Sequence, residues 1–406
     1  MIYTYISWGL LALFALVNVY QILYLFIPFL IKKKPLPPAK TTRHLGVLVA
    51  ARNEAAVLGH LLDSIHAQDY PADKVTVCVV ADNCTDDTAA VAESKGALVT
   101  RRHSSQVGKG YALSHLLSWL KKEGRTFDAY LVLDADNLLA PGFLEAINRG
   151  LERYPIVTGY RHTKNFGDSW ISACCSLWFL RMSQFYNRSR YLLGTSCTVS
   201  GTGFAFRQGV VEDWPYYLLT EDVEFSADRI LAGQQVGYCE EAVLYDEQPV
   251  TFAQNWRQRL RWAKGNIQVV FRYAGRLFAG ACRGSFACYD VLCSSLPAFV
   301  FSVLALALKL VQAVDLLVHG QSVAVLFDGA LPGLALGYGT MLLMGLIPLV
   351  GEWRRVSAPA WQKVLYLLTF PLFMAINVPI ALQALFCRVE WKPIIHTKAL
   401  RVEELV

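Results

Sequence analysis

From Met1 to Ile31 the chain carries no charged side chain, and the run ends at Lys32, Lys33 and Lys34. That length exceeds the ~20 apolar residues needed to cross a hydrocarbon core. The charges follow the apolar run and no small-residue cleavage site is evident, so 1–31 reads as a transmembrane helix rather than a removed signal. A second apolar zone, 290–388, is interrupted at Val318 to Ser322 and at Glu352 to Pro359. It divides into about three further spans, from Leu292 to Leu317, Val323 to Val350 and Val364 to Phe386. Pro297, Pro332, Pro371 and Pro379 fall inside these spans, where neighbouring helices or water must take up the freed carbonyls. The lysines after the first run set the amino terminus outside and the following domain in the cytoplasm. Counting one span before that domain and three after it puts the carboxyl terminus outside. Arg388, Lys392, Lys398 and Arg401, in or beside the 389–406 tail, favour the inside, and a re-entrant segment reconciles the two.

Between the apolar zones, over 40–250, short β-branched runs alternate with helical patterns. Strands are expected at His44 to Ala51, Val75 to Val80, Ala97 to Arg101 and Ala129 to Leu133. Helices are expected at Glu54 to Ala67, Asp86 to Ser94 and Lys109 to Leu120. Such alternation means an α/β fold with a mostly parallel sheet, which binds ligands beyond the carboxyl ends of its strands. Within 165–190, Trp170, Cys174, Leu177, Trp178 and Phe185 share one side while Arg181, Arg188 and Arg190 lie largely elsewhere. That pattern fits a helix in the membrane interface, with a buried helix as the open alternative. Residues 251–285 read as further interfacial helices.

Composition agrees with this division, since 54% of residues are hydrophobic, 12% aromatic and only 17% charged. The net charge of +6 is modest, and the cations gather beside apolar segments, which points to lipid head groups and away from nucleic acid. None of the ten cysteines forms a CxxC pair, as expected of reduced thiols in a cytosol-facing domain.

The polar clusters fall at the expected strand ends. The first strand runs into Ala51, Arg52, Asn53 and Glu54, and the second into Asp82, Asn83, Thr85 and Asp86. A carboxylate in the position of Asp82 can accept from the N3–H of uracil, but the same loop also suits a turn and a helix cap. Asp134 and Asp136 end the fourth strand one residue apart and can share a side. Oxygen ligands so arranged suit magnesium or manganese, which keep substrate phosphates and water in their shells. Asp222 follows Trp214, Tyr216 and Tyr217 and is suited to strip a proton from an acceptor hydroxyl, or merely to open an acidic helix N-terminus. Gln258 and Arg261 share a helical side able to address a diphosphate, and Trp262 can stack on a sugar.

Ala51-Arg52-Asn53-Glu54, the loop at Asp82, Gly108-Lys109-Gly110, Asp134-Ala135-Asp136, Thr220-Glu221-Asp222 and Gln258-x-x-Arg261-Trp262 occur in this order. Over about Leu45 to Trp262 the chain resembles the family 2 glycosyltransferases of GT-A fold. The resemblance is to the membrane-integrated branch that includes hyaluronan, poly-N-acetylglucosamine, chitin and cellulose synthases. It implies a hexosyl- or N-acetylhexosaminyltransferase taking a UDP-sugar with a divalent metal, Mg or Mn, at the cytoplasmic face of the plasma (inner) membrane. It assigns Ala51, Arg52, Glu54, Asp82, Lys109, Asp134, Gln258 and Arg261 to the nucleotide-sugar and Asp136 to the metal. Asp222 becomes the base, with Gly201, Thr202, Glu221 and Trp262 on the acceptor. The leading expectation is an inverting enzyme that elongates a β-linked polysaccharide and exports it through its own helices. The runner-up is single transfer to a membrane lipid, a polyprenyl phosphate or diacylglycerol. One amino-terminal span and no added regulatory domain argue against a cellulose synthase. A transporter without catalysis is disfavoured, because the spans hold few ionisable residues, chiefly Lys309, Asp315 and Asp328.

Overall fold

The structure, a computed structural model, describes residues 2–32, 36–295, 297–327, 330–391, 396 and 398–405. Lys33, Lys34, Asp328 and Lys392, used above, lie outside the described residues. The chain opens with α1 (Ile2–Tyr24) and a short α2 (Ile27–Leu30). It then enters β1 (Leu45–Ala51), α3 (Ala55–His66), β2 (Val75–Asp82), α4 (Thr88–Ser94), β3 (Leu98–Arg102), α5 (Lys109–Lys122) and β4 (Ala129–Asp134). These elements follow the sequence periodicity closely. β1, β2, β3 and β4 pair in parallel, and β1 and β4, covered on both faces, are almost continuously apolar.

Beyond β4 come β5 (Leu138–Leu139), α6 (Phe143–Arg153), β6 (Ile156–Thr163), α7 (Trp170–Leu180), α8 (Arg188–Leu192), β7 (Phe204–Arg207), α9 (Glu221–Leu231) and β8 (Val236–Asp246). The eight-stranded sheet has the order β3-β2-β1-β4-β7-β6-β8-β5. β7 runs antiparallel to both β4 and β6, and β5 antiparallel to β8, so the sheet is mixed. Gly201 and Gly203, at φ 82° and 65°, turn the chain into β7 just beyond the end of β4, and the Gly203 N–H donates to Val132 O.

Residues 165–190 form α7, a π-helical turn (Arg181–Asn187) and the start of α8. From Ile171 to Leu180 every residue except Trp178 is buried, because α7 is covered by the sheet on one side and by α13 (Ala330–Gly351) and α14 (Ala360–Ala375) on the other. Leu177, Phe370 and Phe373 share one hydrophobic core with Phe204 and Trp214. Over 251–285, where interfacial helices are expected, there is one long helix, α10 (Phe252–Cys282), whose N-cap Thr251 accepts from the Gln254 N–H. It leads into α11 (Phe286–Ser295) and α12 (Pro297–Val318), and α15 (Asn377–Phe386) closes the helical part.

Among the described residues, three stretches, Ile2–Leu30, Val323–Gly351 and Ala360–Phe386, are long and apolar enough to cross a membrane. The last breaks at Ile376 and keeps to the catalytic domain at both ends. Tyr366 packs on Phe166, while Trp256 Nε1 donates to Gln383 and Lys264 Nζ to Ala384 O. The tail lies on the same domain, since His396 pairs with Glu54 and Lys398 with Asp168. The described part of the tail therefore packs against the catalytic domain.

Candidate active site

Asn53 and Asn83, at φ 58° and 52°, turn the chain out of β1 and β2, a conformation asparagine tolerates better than most residues. Their side chains tie the loops together. Asn53 Oδ1 accepts from the Thr85 N–H at 2.8 Å and Asn83 Oδ1 from the Ser104 N–H at 2.9 Å. Asp82, buried at the end of β2, pairs with Arg102 at 2.6 Å. Lys109 opens α5 and reaches both Asp134 and, at 2.8 Å, the Gly201 carbonyl.

Asp134 ends β4, and its N–H donates to Thr202 Oγ1 at 2.9 Å. Burial opposes its charge, but Lys109 and then Arg161 hold its carboxyl below the usual range. Asp136 is 3% exposed and accepts from the Glu247 N–H at 3.0 Å. Asp246, at the end of β8, is clamped by Arg161, Asn137 and Gln248. Burial, with Asp136 and Asp134 adding to it against Arg161, pushes its carboxyl up to about 7. Arg161 also donates to Ser200 O at 2.7 Å and lies 3.7 Å over the Phe179 ring. Burial works against charge on His396, yet Asp136, Glu54 and Glu247 raise it to about 10.

Glu221 and Asp222 open α9. Burial raises both carboxyls, and the neighbouring Asp222 helps bring Glu221 to about 7 while Lys109 and Arg261 oppose the shift. Asp222 faces the Gly201 turn, where a Cβ would lie 3.6 Å from its Oδ2. α10 lies close above this point because residue 265 is glycine, and a Cβ there would stand 2.6 Å from the Thr220 side chain. On that helix Arg261 donates to Leu219 O at 2.8 Å, and Trp262 meets Phe179 edge-on with centroids 5.8 Å apart.

One cavity of about 370 Å³ joins these parts. Ala51, Arg52, Glu54, Asp82, Lys109, Asp134, Asp136, Gly201, Glu221, Asp222, Gln258, Arg261 and Trp262 all line it. Thr202, expected on the acceptor, does not. It is 1% exposed and its hydroxyl holds Asn137 and the Asp134 backbone. Sequence reading missed Arg102, Arg161, Asp246, Trp391 and His396. Asp246-Glu247 after an apolar strand carries the same signal as Asp134 and could have been found. Trp391, whose ring lies 5.3 Å from the Arg52 guanidinium carbon, and His396 belong to a tail with no periodicity, so only tertiary contact reveals them.

Asp134, Asp136, Asp246 and Glu247 all offer carboxylate oxygens to this cavity, and that chemistry fits a hard divalent ion. Among the described residues no three carboxylate, thiolate or imidazole groups converge as a ready-made cage. Magnesium and manganese sites of the kind completed by substrate phosphates and water need only one or two carboxylates.

Comparison with known proteins agrees with this geometry. The chain is 26% identical over 247 residues to a probable glycosyltransferase of Bacillus subtilis, YdaM, covering 58% of each chain. It is 25% identical over 256 residues to the poly-β-1,6-N-acetyl-D-glucosamine synthase of Staphylococcus aureus, covering 61% of this chain and 60% of that one. A β-monoglucosyldiacylglycerol synthase of Synechocystis is 26% identical over 247 residues, covering 56% of this chain and 48% of that one. The matches thus span about half to three fifths of these relatives' lengths. A mannosyltransferase of Pyrobaculum calidifontis, solved with GDP-mannose and Mn2+, has the same fold at a TM-score of 0.58 and 18% identity, over 94% of this chain and 99% of that one. Residues 42–265, more than half of the chain, match the family described as glycosyltransferase like family 2, and the protein belongs to that family.

Proposed function

We propose that this glycosyltransferase takes sugar from a UDP-sugar and adds it, with inversion, to a β-linked glycan at the cytoplasmic face of the plasma (inner) membrane. The observation that carries this reading is the single cavity running from Asp82 and Asp134 past Asp222 to Trp262 and on to Ser294 and Ser295 of α11. In it Asp82 and the Arg52 loop receive the nucleoside, and Lys109, Gln258 and Arg261 face the diphosphate. Asp222 accepts the proton of an acceptor hydroxyl held against Trp262, so that hydroxyl attacks from the side opposite the leaving diphosphate. Asp136 would hold a divalent cation, which when bound offsets charge on the departing diphosphate. Fixed cationic donors serve the same end, because charge develops there in the transition state.

The topology we favour has α1, α12 and α13 crossing the membrane while α14 and α15 lie along the catalytic domain, which keeps the tail beside the site. Relatives include one named for a polymer and one named for a glycolipid, so the acceptor is the point to test. Purified full-length protein in nanodiscs, offered a panel of radiolabelled UDP-sugars with Mg or Mn, should give products of graded length on a gel. A single product of fixed size that partitions with lipid would refute polymer elongation in favour of lipid glycosylation.

A further inference from the structure

We infer that the cavity holds a second acceptor subsite one sugar beyond Trp262, built around Asn266 and selective for a hydroxylated sugar ring. The inference rests on the glycan-elongating reading above and names its acceptor more closely. Gln258, Trp262 and Asn266 stand four residues apart on α10 and all line the cavity, so they form one stripe along the helix. Each step along that stripe advances ~6 Å, about one sugar ring. One turn past Trp262 comes Asn266, and Val291, Ser294 and Ser295 of α11 line the same cavity.

One amide oxygen on this stripe beyond Trp262 stands without a partner. Asn266 Oδ1 is buried and accepts no hydrogen bond, and the same holds for Oγ1 of Thr220, itself 4% exposed and lining the cavity where α10 presses on it. A buried polar group left unpaired costs free energy, so these atoms fit a ligand that completes them. The identity of the missing partner follows from their chemistry. Buried oxygens need donors, which a phosphate diester and an alkyl chain do not offer. A hydroxyl both donates and accepts, so it satisfies a carboxamide whichever way the amide is turned. Trp262, one turn before Asn266 and lining the same cavity, gives an apolar face on which a sugar ring stacks. Arg259, the residue of the motif that points away, bonds Asn255 and Asn377 and takes no part.

The test uses full-length protein in nanodiscs, a saturating UDP-sugar, and soluble acceptors that are a β-monosaccharide glycoside and the matching β-disaccharide glycoside. Wild type should use the disaccharide with kcat/KM about three- to tenfold above the monosaccharide, the worth of one or two hydrogen bonds. Asn266→Leu should bring that ratio close to one, and Asn266→Ser, which keeps a hydroxyl in the lane, should retain a ratio above one. An Asn266→Leu ratio equal to that of wild type, or a wild type indifferent to the second sugar, overturns the subsite while elongation of glycans still stands. If both glycosides are refused and a short-chain diacylglycerol or polyprenyl phosphate is used instead, the glycan reading and the subsite fall together. Should Asn266→Leu not fold, Ser295→Val, on the facing wall, must lower the same ratio, and an unchanged ratio there also overturns the inference.

Discussion

The Glu221–Asp222 pair makes the pH profile the sharpest check on the base. Both carboxyls are raised by burial, and the pair reaches about 7 at Glu221. A base must be ionised to act, so with Asp222 raised by burial kcat/KM should fall with decreasing pH at a pH above the ordinary aspartate value of about 3.9. Replacing Glu221 by Gln removes a neighbouring negative charge and leaves Lys109 and Arg261 in place, which should shift the acid limb to lower pH. The position of the limb, not its height, is the readout, measured as initial rates of UDP release from about pH 5 to 9 in a constant-ionic-strength buffer. An acid limb centred at or below the ordinary aspartate value in wild type, or one unmoved by Glu221→Gln, would refute the reasoning. The same shift has a stability consequence of definite sign. Because the folded chain holds these protons more tightly than the unfolded chain, the pair favours folding at low pH, and that contribution is lost as pH rises through about 7.

Further outcomes follow from other parts of the site. Asp136→Ala should abolish turnover, as should EDTA on wild type, with activity restored by Mg or Mn only in wild type; full activity in a metal-free preparation would sink the metal assignment. Asp290→Ala should lower the thermal midpoint in detergent by the equivalent of about 3–5 kcal/mol, because Arg190, 1% exposed, is left buried without its counter-charge. Tyr20 and Tyr24 of α1 also bond Asp290, so the loss loosens the membrane helix as well; replacing both members of the pair by apolar residues should recover most of it. Trp262→Ala removes a stacking face worth about 0.5–1.5 kcal/mol and should shorten the polymer while donor hydrolysis continues, whereas unchanged product length would argue against stacking there. Accessibility reporters should find the amino terminus outside and the carboxyl terminus inside, and an external carboxyl terminus would contradict the tail contacts of His396 and Lys398.

The sequence by itself determined the parallel half of the sheet, because β1 to β4 and the helices between them carry periods that local chemistry enforces. It also determined the carboxylates and glycines at the strand ends, since those positions must be polar or turn-forming whatever lies around them. It did not determine the antiparallel insertion of β7, four residues long and too short to show a period. Nor did it reveal that Thr202 spends its hydroxyl inside the protein. Whether a side chain faces a ligand or a neighbour depends on what packs beyond it. The apolar run from Ala360 to Phe386 has the length of a span, and only the fold shows that Trp256, Lys264 and Phe166, distant in sequence, contact it. His396 enters the carboxylate cluster from more than 300 residues away, and α10 lies close on Thr220 because residue 265 is glycine. Apolarity and periodicity act locally and are written along the chain, whereas charge compensation and close packing join distant segments, so only the tertiary structure decided them.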